Sequence, residues 1–162
     1  MARSDTYTVE RSRHVDAPAD DVRERIVDFR RWASWSPWED LDPALSRNYG
    51  GADAGVGAWY EWRGNRKAGE GRMEIVDVTD SAITIGLQFL KPFKSRSTAR
   101  FDLLPEGDGT TVTWTMTGPK TFMTKVMGIF TSMDKIIGPD FEKGLDRLKS
   151  EVESPGDATT SG

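Results

Sequence analysis

The sequence has no cysteine and a single histidine, His14, among its 162 residues. Disulfide bonds and thiolate metal sites are therefore excluded, and so is a metal site built from several imidazole ligands. Carboxylates alone can hold a hard cation, but no loop has the spacing of such a site. We expect no metal and no cofactor. Because a chain without cysteine agrees with a reducing compartment, we also expect a cytoplasmic protein.

Long apolar runs and basic runs are missing as well. Residues 1–6 lack the apolar centre of a secretory signal. No apolar run approaches the roughly 18–20 residues that span a bilayer, so we expect no transmembrane segment. The net charge is −4 with both signs mixed along the chain, and this argues against a nucleic-acid partner.

The length of 162 residues suits one domain. We expect that domain at residues 6–153, a flexible tail at 1–5 and a disordered Ser/Thr/Gly-rich tail at 154–162. All six tryptophans lie between Trp32 and Trp114. Each carries one N–H that needs an acceptor when buried, so the interior must contain polar contacts.

Alternation of apolar and polar residues predicts a series of strands. The first strand, residues 7–15, carries Arg11 and Arg13 in the phase of its apolar side chains, which is typical of an edge strand. A short strand is also expected at 46–49. The clearest alternation follows in five segments: residues 58–63, 69–79, 83–89, 97–104 and 111–117.

Helical periodicity appears at two places. After Pro18 a helix is expected to run to about Phe29, followed by a short helix or turn through Trp32 and Trp35. The second place is the C-terminal region 121–153. Its last part has one apolar stripe, whereas 121–137 is apolar over a much wider face. Pro139 is expected to bend or split this region.

The predicted fold class is α+β. A curved antiparallel sheet of six to seven strands wraps on a long C-terminal helix, and two short helices follow strand one. A sheet that curls round one helix leaves space between them, which large side chains line. The stripe on the last part of the helix consists of Phe141, Leu145, Leu148 and Val152.

A set of short segments follows a characteristic order along about residues 7–153. The segments are Ala17-Pro18, Trp35-Ser36-Pro37-Trp38, residues 55–58, Tyr60-Glu61-Trp62, Gly64-Asn65, residues 69–75, residues 89–93, residues 109–114, Met133-Asp134-Lys135 and residues 140–145. This ordered set resembles the polyketide cyclase/dehydrase-like branch of the START-related (SRPBCC) superfamily, which has the helix-grip fold, and the resemblance supports the predicted architecture. The superfamily includes lipid carriers, hormone receptors, co-chaperones and a few cyclases, so function must come from the site.

We predict that the protein binds an apolar or aromatic small molecule, lipid- or polyketide-like, between the sheet and the C-terminal helix. The alternative for most of these positions is a filled core, and the aromatic residues at 35, 38, 60 and 62 either rim the mouth or close the small end of the core. The predicted ligand-binding residues are Trp35, Trp38, Tyr60, Trp62, Met73, Ile75, Ile85, Leu87, Phe89, Phe101, Trp114, Met116, Phe122, Val126, Met127, Phe130 and Met133.

Two other functions stay open. A cyclase or dehydratase needs an acid–base pair that faces the cavity. The charged candidates also fit a cross-strand ladder of ion pairs on the solvent-exposed face of the sheet. Whether the chain is an enzyme is therefore uncertain, leaning to no, with His14 read as a surface residue. Alternatively, region 121–137 grips a partner or a second copy, so monomer and homodimer both remain possible. The candidate residues for the enzyme are Glu61, Glu70, Glu74, Arg72, Arg100 and Tyr60.

Overall fold

The computed structural model describes residues 6–36, 44–65, 69–91, 94–119 and 133–153. One long antiparallel sheet and a C-terminal helix dominate these residues. The elements, in chain order, are β1 (Thr6–Val15), α1 (Ala19–Ile26), a 3-10 helix (Phe29–Ser34), β2 (Ser46–Gly50), β3 (Trp59–Arg63), β4 (Glu70–Val78), β5 (Ala82–Lys91), β6 (Ser95–Glu106), β7 (Gly109–Pro119) and α2 (Met133–Glu153).

The sheet has seven strands in the order β1-β7-β6-β5-β4-β3-β2. Strands β2 to β7 follow one another as a meander of antiparallel pairs, and β1 joins at the far side next to β7. The predicted α+β class and the helix-grip arrangement are therefore confirmed, with β1 and β2 as the two edge strands.

One face of the sheet, which we call the inner face, is turned towards α2. The period-two alternation predicted this face correctly on β5 and β7, where Ile83, Ile85, Val112 and Trp114 are buried. On β4 the register shifts between Ile75 and Asp77. This shift indicates a β-bulge.

The apolar stripe of α2 packs on the inner face as expected, with Phe141, Leu145, Leu148 and Val152 all buried. The Phe141 ring stacks on Trp114 of β7 with centroids 4.1 Å apart and an angle of 2° between the planes. Together with the buried side chains of α1 and the 3-10 helix, this stack forms a closed aromatic core.

Helix α2 runs without interruption from Met133 to Glu153, with Pro139 inside it. Of the expected bend or split at Pro139, the split does not occur within the described residues 133–153. A proline within a helix lacks one N–H donor and crowds the preceding turn, and packing of the following residues on the core can hold the helix together in spite of it.

Edge strand β1 is joined to α2 by ion pairs. Arg11 and Arg13 share the inward phase of their strand, and their Nε atoms lie 2.7 Å from Glu142 Oε2 and 2.9 Å from Asp146 Oδ1. The prediction of a partly covered edge strand is confirmed, and the residues of α2 that cover it here are charged. Such half-exposed pairs contribute at most about 1 kcal/mol each.

The two short N-terminal helices place tryptophans in the core. Asp28 begins the 3-10 helix by accepting a hydrogen bond from the Arg30 N–H. The indole N–H groups of Trp32 and Trp35 donate to the backbone oxygens of Ile26 (2.8 Å) and Arg25 (3.1 Å). These bonds provide the polar contacts that buried tryptophans require.

Across the described ranges, none of the helices combines the length and the apolar character needed to cross a bilayer.

Candidate ligand-binding site

The inner face is divided into a closed part and a less covered part. In the closed part Trp35 and Phe101 are fully buried, and their ring centroids lie 6.0 Å apart in an edge-to-face contact. Trp35 also lies 5.6 Å from the Trp114 ring. These aromatic side chains pack on one another, so Trp35 closes the core here and is not at a rim.

The less covered part is a band of apolar side chains that pack against the core while remaining only partly buried. The band is continuous, because the rings of Trp62 and Phe89 lie 6.0 Å apart and Met73 is directly opposite Leu87 in the β4–β5 ladder. We call it the half-buried strip, and it consists of Tyr49, Trp62, Met73, Leu87 and Phe89.

A glycine forms part of the floor of the half-buried strip. Gly71 is opposite both Trp62 and Phe89 in the ladders. A Cβ on Gly71 would lie 2.4 Å from the Trp62 ring. The Trp62 indole therefore lies directly over the β4 backbone. No side chain projects from Gly71 into the strip at this point.

A pair of buried hydroxyl groups borders the strip on the side of β6. The Tyr7 hydroxyl and Ser97 Oγ are 3.3 Å apart and form a hydrogen bond across β7. Gly118 of β7 lies between them, and a Cβ there would be 2.4 Å from Ser97 Oγ and 2.8 Å from the Tyr7 hydroxyl. Burial raises the pKa of Tyr7, and the hydrogen bond between Tyr7 and Ser97 offsets only part of that rise.

The structure separates the predicted ligand-binding residues into three groups. Four of them lie in the half-buried strip: Trp62, Met73, Leu87 and Phe89. Seven are buried among core residues: Trp35, Tyr60, Ile75, Ile85, Phe101, Trp114 and Met116. The others lie outside the described residues, namely Trp38, Phe122, Val126, Met127 and Phe130, together with the side chain of Met133.

Sequence reasoning missed the hydroxyl pair and Tyr49. A signal for Ser97 was present, because it shares the phase of the apolar residues Ala99 and Phe101 on β6. A hydroxyl in an apolar phase needs a buried partner. The partner, Tyr7, is 90 residues away in the chain, so the sequence pattern alone could not supply it.

The charged candidates for acid–base chemistry lie on the outer face of the sheet. Arg72 contacts Glu61 at 2.9 Å and Glu74 at 3.5 Å. Its guanidinium also lies 4.6 Å from the centre of the Trp59 ring. The interpretation of a cross-strand charge ladder on the wetted face is confirmed for these residues.

The remaining charged candidates follow the same pattern. Glu70 lies 3.7 Å from Arg63, and Arg100 pairs with Asp102 at 2.8 Å, not with the glutamates of β4. His14 is about half exposed, with its Nε2 atom 3.3 Å from Asp16, which agrees with a surface histidine. Of the enzyme candidates, only Tyr60 is buried on the inner face.

An open depression of about 660 Å³ lies on the other side of α2, lined by Ser34 and by helix residues such as Glu142, Lys143 and Arg147. Its walls carry charges of both signs and it is not between sheet and helix, so it does not correspond to the predicted site. Within the described part of the chain, no cluster of three or more metal-ligating side chains occurs.

Comparison with known proteins now decides the family. The family described as "Polyketide cyclase / dehydrase and lipid transport" matches residues 6–153, nearly the whole chain. The chain belongs to this family. The match confirms the resemblance seen in the sequence segments, and the family description covers both of the leading functions. No functionally curated protein is significantly similar to the chain in sequence.

Solved structures of this family's fold superpose on the chain over most of its length. Protein CV1439 from Chromobacterium violaceum aligns with 90% of this chain and 96% of its own, at 17% identity and a TM-score of 0.64. Norcoclaurine synthase from Thalictrum flavum aligns with 94% of this chain and 98% of its own, at 16% identity and a TM-score of 0.61. The di-domain ARO/CYC BexL aligns with 93% of this chain and 50% of its own, at 18% identity and a TM-score of 0.61. These likenesses establish the fold alone.

Proposed function

We propose that the protein binds an apolar or aromatic small molecule on the half-buried strip, between the sheet and the C-terminal helical region. The observation that carries this proposal is the contrast within the inner face. The side chains around Trp114 are fully buried, whereas Trp62, Met73, Leu87 and Phe89 keep accessible apolar surface. Covering roughly 200 Å² of such surface with a ligand would contribute about 5 kcal/mol before the entropy of association is subtracted.

The known relatives support a small-molecule function. The family description names lipid transport beside cyclase and dehydrase activity. One structural neighbour is named norcoclaurine synthase, and another is a di-domain ARO/CYC from the BE-7585A biosynthetic pathway. At these low identities the likenesses show the fold alone, so the names of these proteins do not select the chemistry of a ligand for this chain.

Binding is favoured over catalysis by the position of the charged side chains. An acid–base enzyme needs its proton donor and acceptor within hydrogen-bond reach of the substrate. Glu61, Arg72 and Glu74 form ion pairs on the outer face, so the sheet separates them from a ligand on the strip. Of the six enzyme candidates from the sequence, only Tyr60, whose reactive group is a hydroxyl, is then buried on the inner face.

A pair of matched substitutions tests the position of the ligand. Leu87 belongs to the strip, whereas Val76 on the neighbouring strand is 51% exposed and away from it. We expect Leu87→Gln to weaken the binding of N-phenylnaphthylamine about tenfold or more, because the ligand would have to cover a polar amide. Val76→Gln should leave the affinity within about twofold. The measurement is a fluorescence titration of the probe.

Thermal unfolding of both variants is the control for their integrity. Equal affinities of the folded Leu87→Gln and Val76→Gln proteins would contradict a site on the strip. Failure of the wild-type protein to enhance the probe's fluorescence would contradict the proposed function itself.

The interaction-module alternative rests on region 121–137, most of which lies outside the described residues. It remains a prediction, as do the oligomeric state and the cytoplasmic location.

A further inference from the structure

The Tyr7–Ser97 pair has one hydroxyl proton more than its own hydrogen bond uses. Two hydroxyl groups carry two protons, and a single bond between them uses one. Within the described residues, this bond is the only side-chain hydrogen bond of either group. Tyr7 is 7% exposed and Ser97 is 6% exposed. A buried donor without an acceptor is unfavourable by about 1–3 kcal/mol, so an acceptor at this point would be stabilising.

The pair lies where a molecule on the half-buried strip would reach it. Ser97 is directly opposite Leu87 in the β5–β6 ladder, and Leu87 is opposite Met73 in the next one. Directly opposed side chains have Cβ atoms about 5 Å apart. A ligand lying on Met73 and Leu87 therefore has its edge beside the Ser97 hydroxyl.

The residue between the two hydroxyl groups is a glycine, Gly118, which leaves space above the β7 backbone for them to meet. Tyr7 is opposite Gly118 in the β1–β7 ladder. Any larger residue would place its Cβ 2.4 Å from Ser97 Oγ. The hydroxyl groups can meet over the β7 backbone only because this side chain is absent.

The surroundings favour an uncharged acceptor. The raised pKa of Tyr7 reflects the unfavourable desolvation of an anion at this position. The inward arginines of β1 are engaged by Glu142 and Asp146 of α2. A buried carboxylate would need a cation beside it, whereas a ketone, quinone or ester oxygen needs only the hydroxyl proton.

We propose that Tyr7 and Ser97 are specificity-determining residues that donate a hydrogen bond to a carbonyl oxygen of the bound molecule. The site then selects carbonyl-bearing apolar ligands over hydrocarbons of the same size and shape. This inference rests on the proposed function, since it assumes that the ligand occupies the half-buried strip.

The test compares two fluorophores that differ in one group. Prodan is a dimethylaminonaphthalene with a propionyl substituent, and its analogue with a propyl group in that place lacks only the carbonyl oxygen. Ser97→Ala, which removes the hydroxyl beside the ligand, should weaken prodan binding about five- to tenfold, the effect of one lost hydrogen bond. The double variant Tyr7→Phe/Ser97→Ala, which removes both donors, should weaken it at least as much. The affinity for the propyl analogue should change by less than about twofold. Bound prodan should also emit at longer wavelength in the wild-type protein than in Ser97→Ala, because its emission responds to hydrogen bonding at the carbonyl.

The matched control is Ser12→Ala. Ser12 and Thr113 form a second hydroxyl pair, 2.8 Å apart, between β1 and β7, but this pair is exposed. Its loss should alter neither affinity nor emission. Thermal melts identify folded variants, and Ser97→Ala, which removes one oxygen atom and leaves Tyr7 in place, decides the result if the double variant is unfolded.

The outcomes separate the two proposals. Wild-type protein that binds both fluorophores, with no selective loss of prodan in the hydroxyl variants, would overturn the role of the pair and leave the binding function standing. Wild-type protein that binds neither fluorophore would overturn both.

Discussion

Phe141→Ala is expected to lower the free energy of unfolding by about 3–5 kcal/mol, a large part of the stability of a single domain. Phe141 is fully buried, and its ring stacks face to face on Trp114 at 4.1 Å. Truncation removes the apolar contacts of the ring and leaves a cavity between α2 and β7. The rigid Trp114 indole cannot easily fill that cavity, so the effect should lie near the upper end of the range.

Equilibrium unfolding in urea measures this effect, and Lys143→Ala is the control on the same helix. Lys143 is exposed two residues further along α2, so its replacement should change the free energy by less than about 0.5 kcal/mol. A loss below about 1 kcal/mol for Phe141→Ala would mean that α2 does not depend on the aromatic core for its position.

Gly118→Ala should both destabilise the protein and disrupt the hydroxyl pair. The new Cβ would lie within 2.4 Å of Ser97 Oγ and 2.8 Å of the Tyr7 hydroxyl, so the hydroxyl groups must separate. Overpacking of this kind lowers stability by about 1–3 kcal/mol. If the pair orients the ligand, prodan affinity should fall by about tenfold as well.

A double-mutant cycle with Ser97→Ala isolates the clash. Removing Ser97 Oγ should recover part of the stability lost in Gly118→Ala, so the two losses should not add, with a coupling of about 1 kcal/mol or more. Gly86→Ala on β5 is the control, since its Cβ would meet only ordinary contacts, the nearest at 3.7 Å. Strictly additive losses for Gly118 and Ser97 would contradict the geometry of the pair.

Much of the fold could be predicted because its main signals are local. Alternation on β7 places Val112, Trp114 and Met116 on one face whatever the tertiary structure. Likewise, the spacing of Phe141, Leu145 and Leu148 defines a helix face without reference to the sheet. Both patterns depend on residues within one helix or one strand.

The site was less predictable because it depends on curvature and on pairing between distant segments. Trp35 and Trp62 look alike in the sequence, yet one is fully buried and the other lies in the half-buried strip. Periodicity gives the face of a residue but not how completely another element covers it. The Tyr7–Ser97 contact joins the first strand to the sixth, and only the strand order brings these residues together.

The sequence predicted a bend or a split of the C-terminal helical region at Pro139, and α2 is not split there because packing competes with local propensity. Proline disfavours a helix interior by about 3 kcal/mol. The four buried apolar side chains that follow it in α2 contribute more than this when they pack on the sheet. Tertiary contacts therefore override the local signal here.

The central claim is that a small apolar molecule lies on the half-buried strip of the inner face. The most direct measurement is a set of intermolecular NOEs between bound N-phenylnaphthylamine and protein methyl groups labelled at Met, Leu and Val. We predict cross-peaks to the methyl groups of Met73 and Leu87, and none to Leu104, which is 57% exposed. Cross-peaks to Leu104 or Val76 without Met73 and Leu87, or no intermolecular cross-peak at all, would contradict the account.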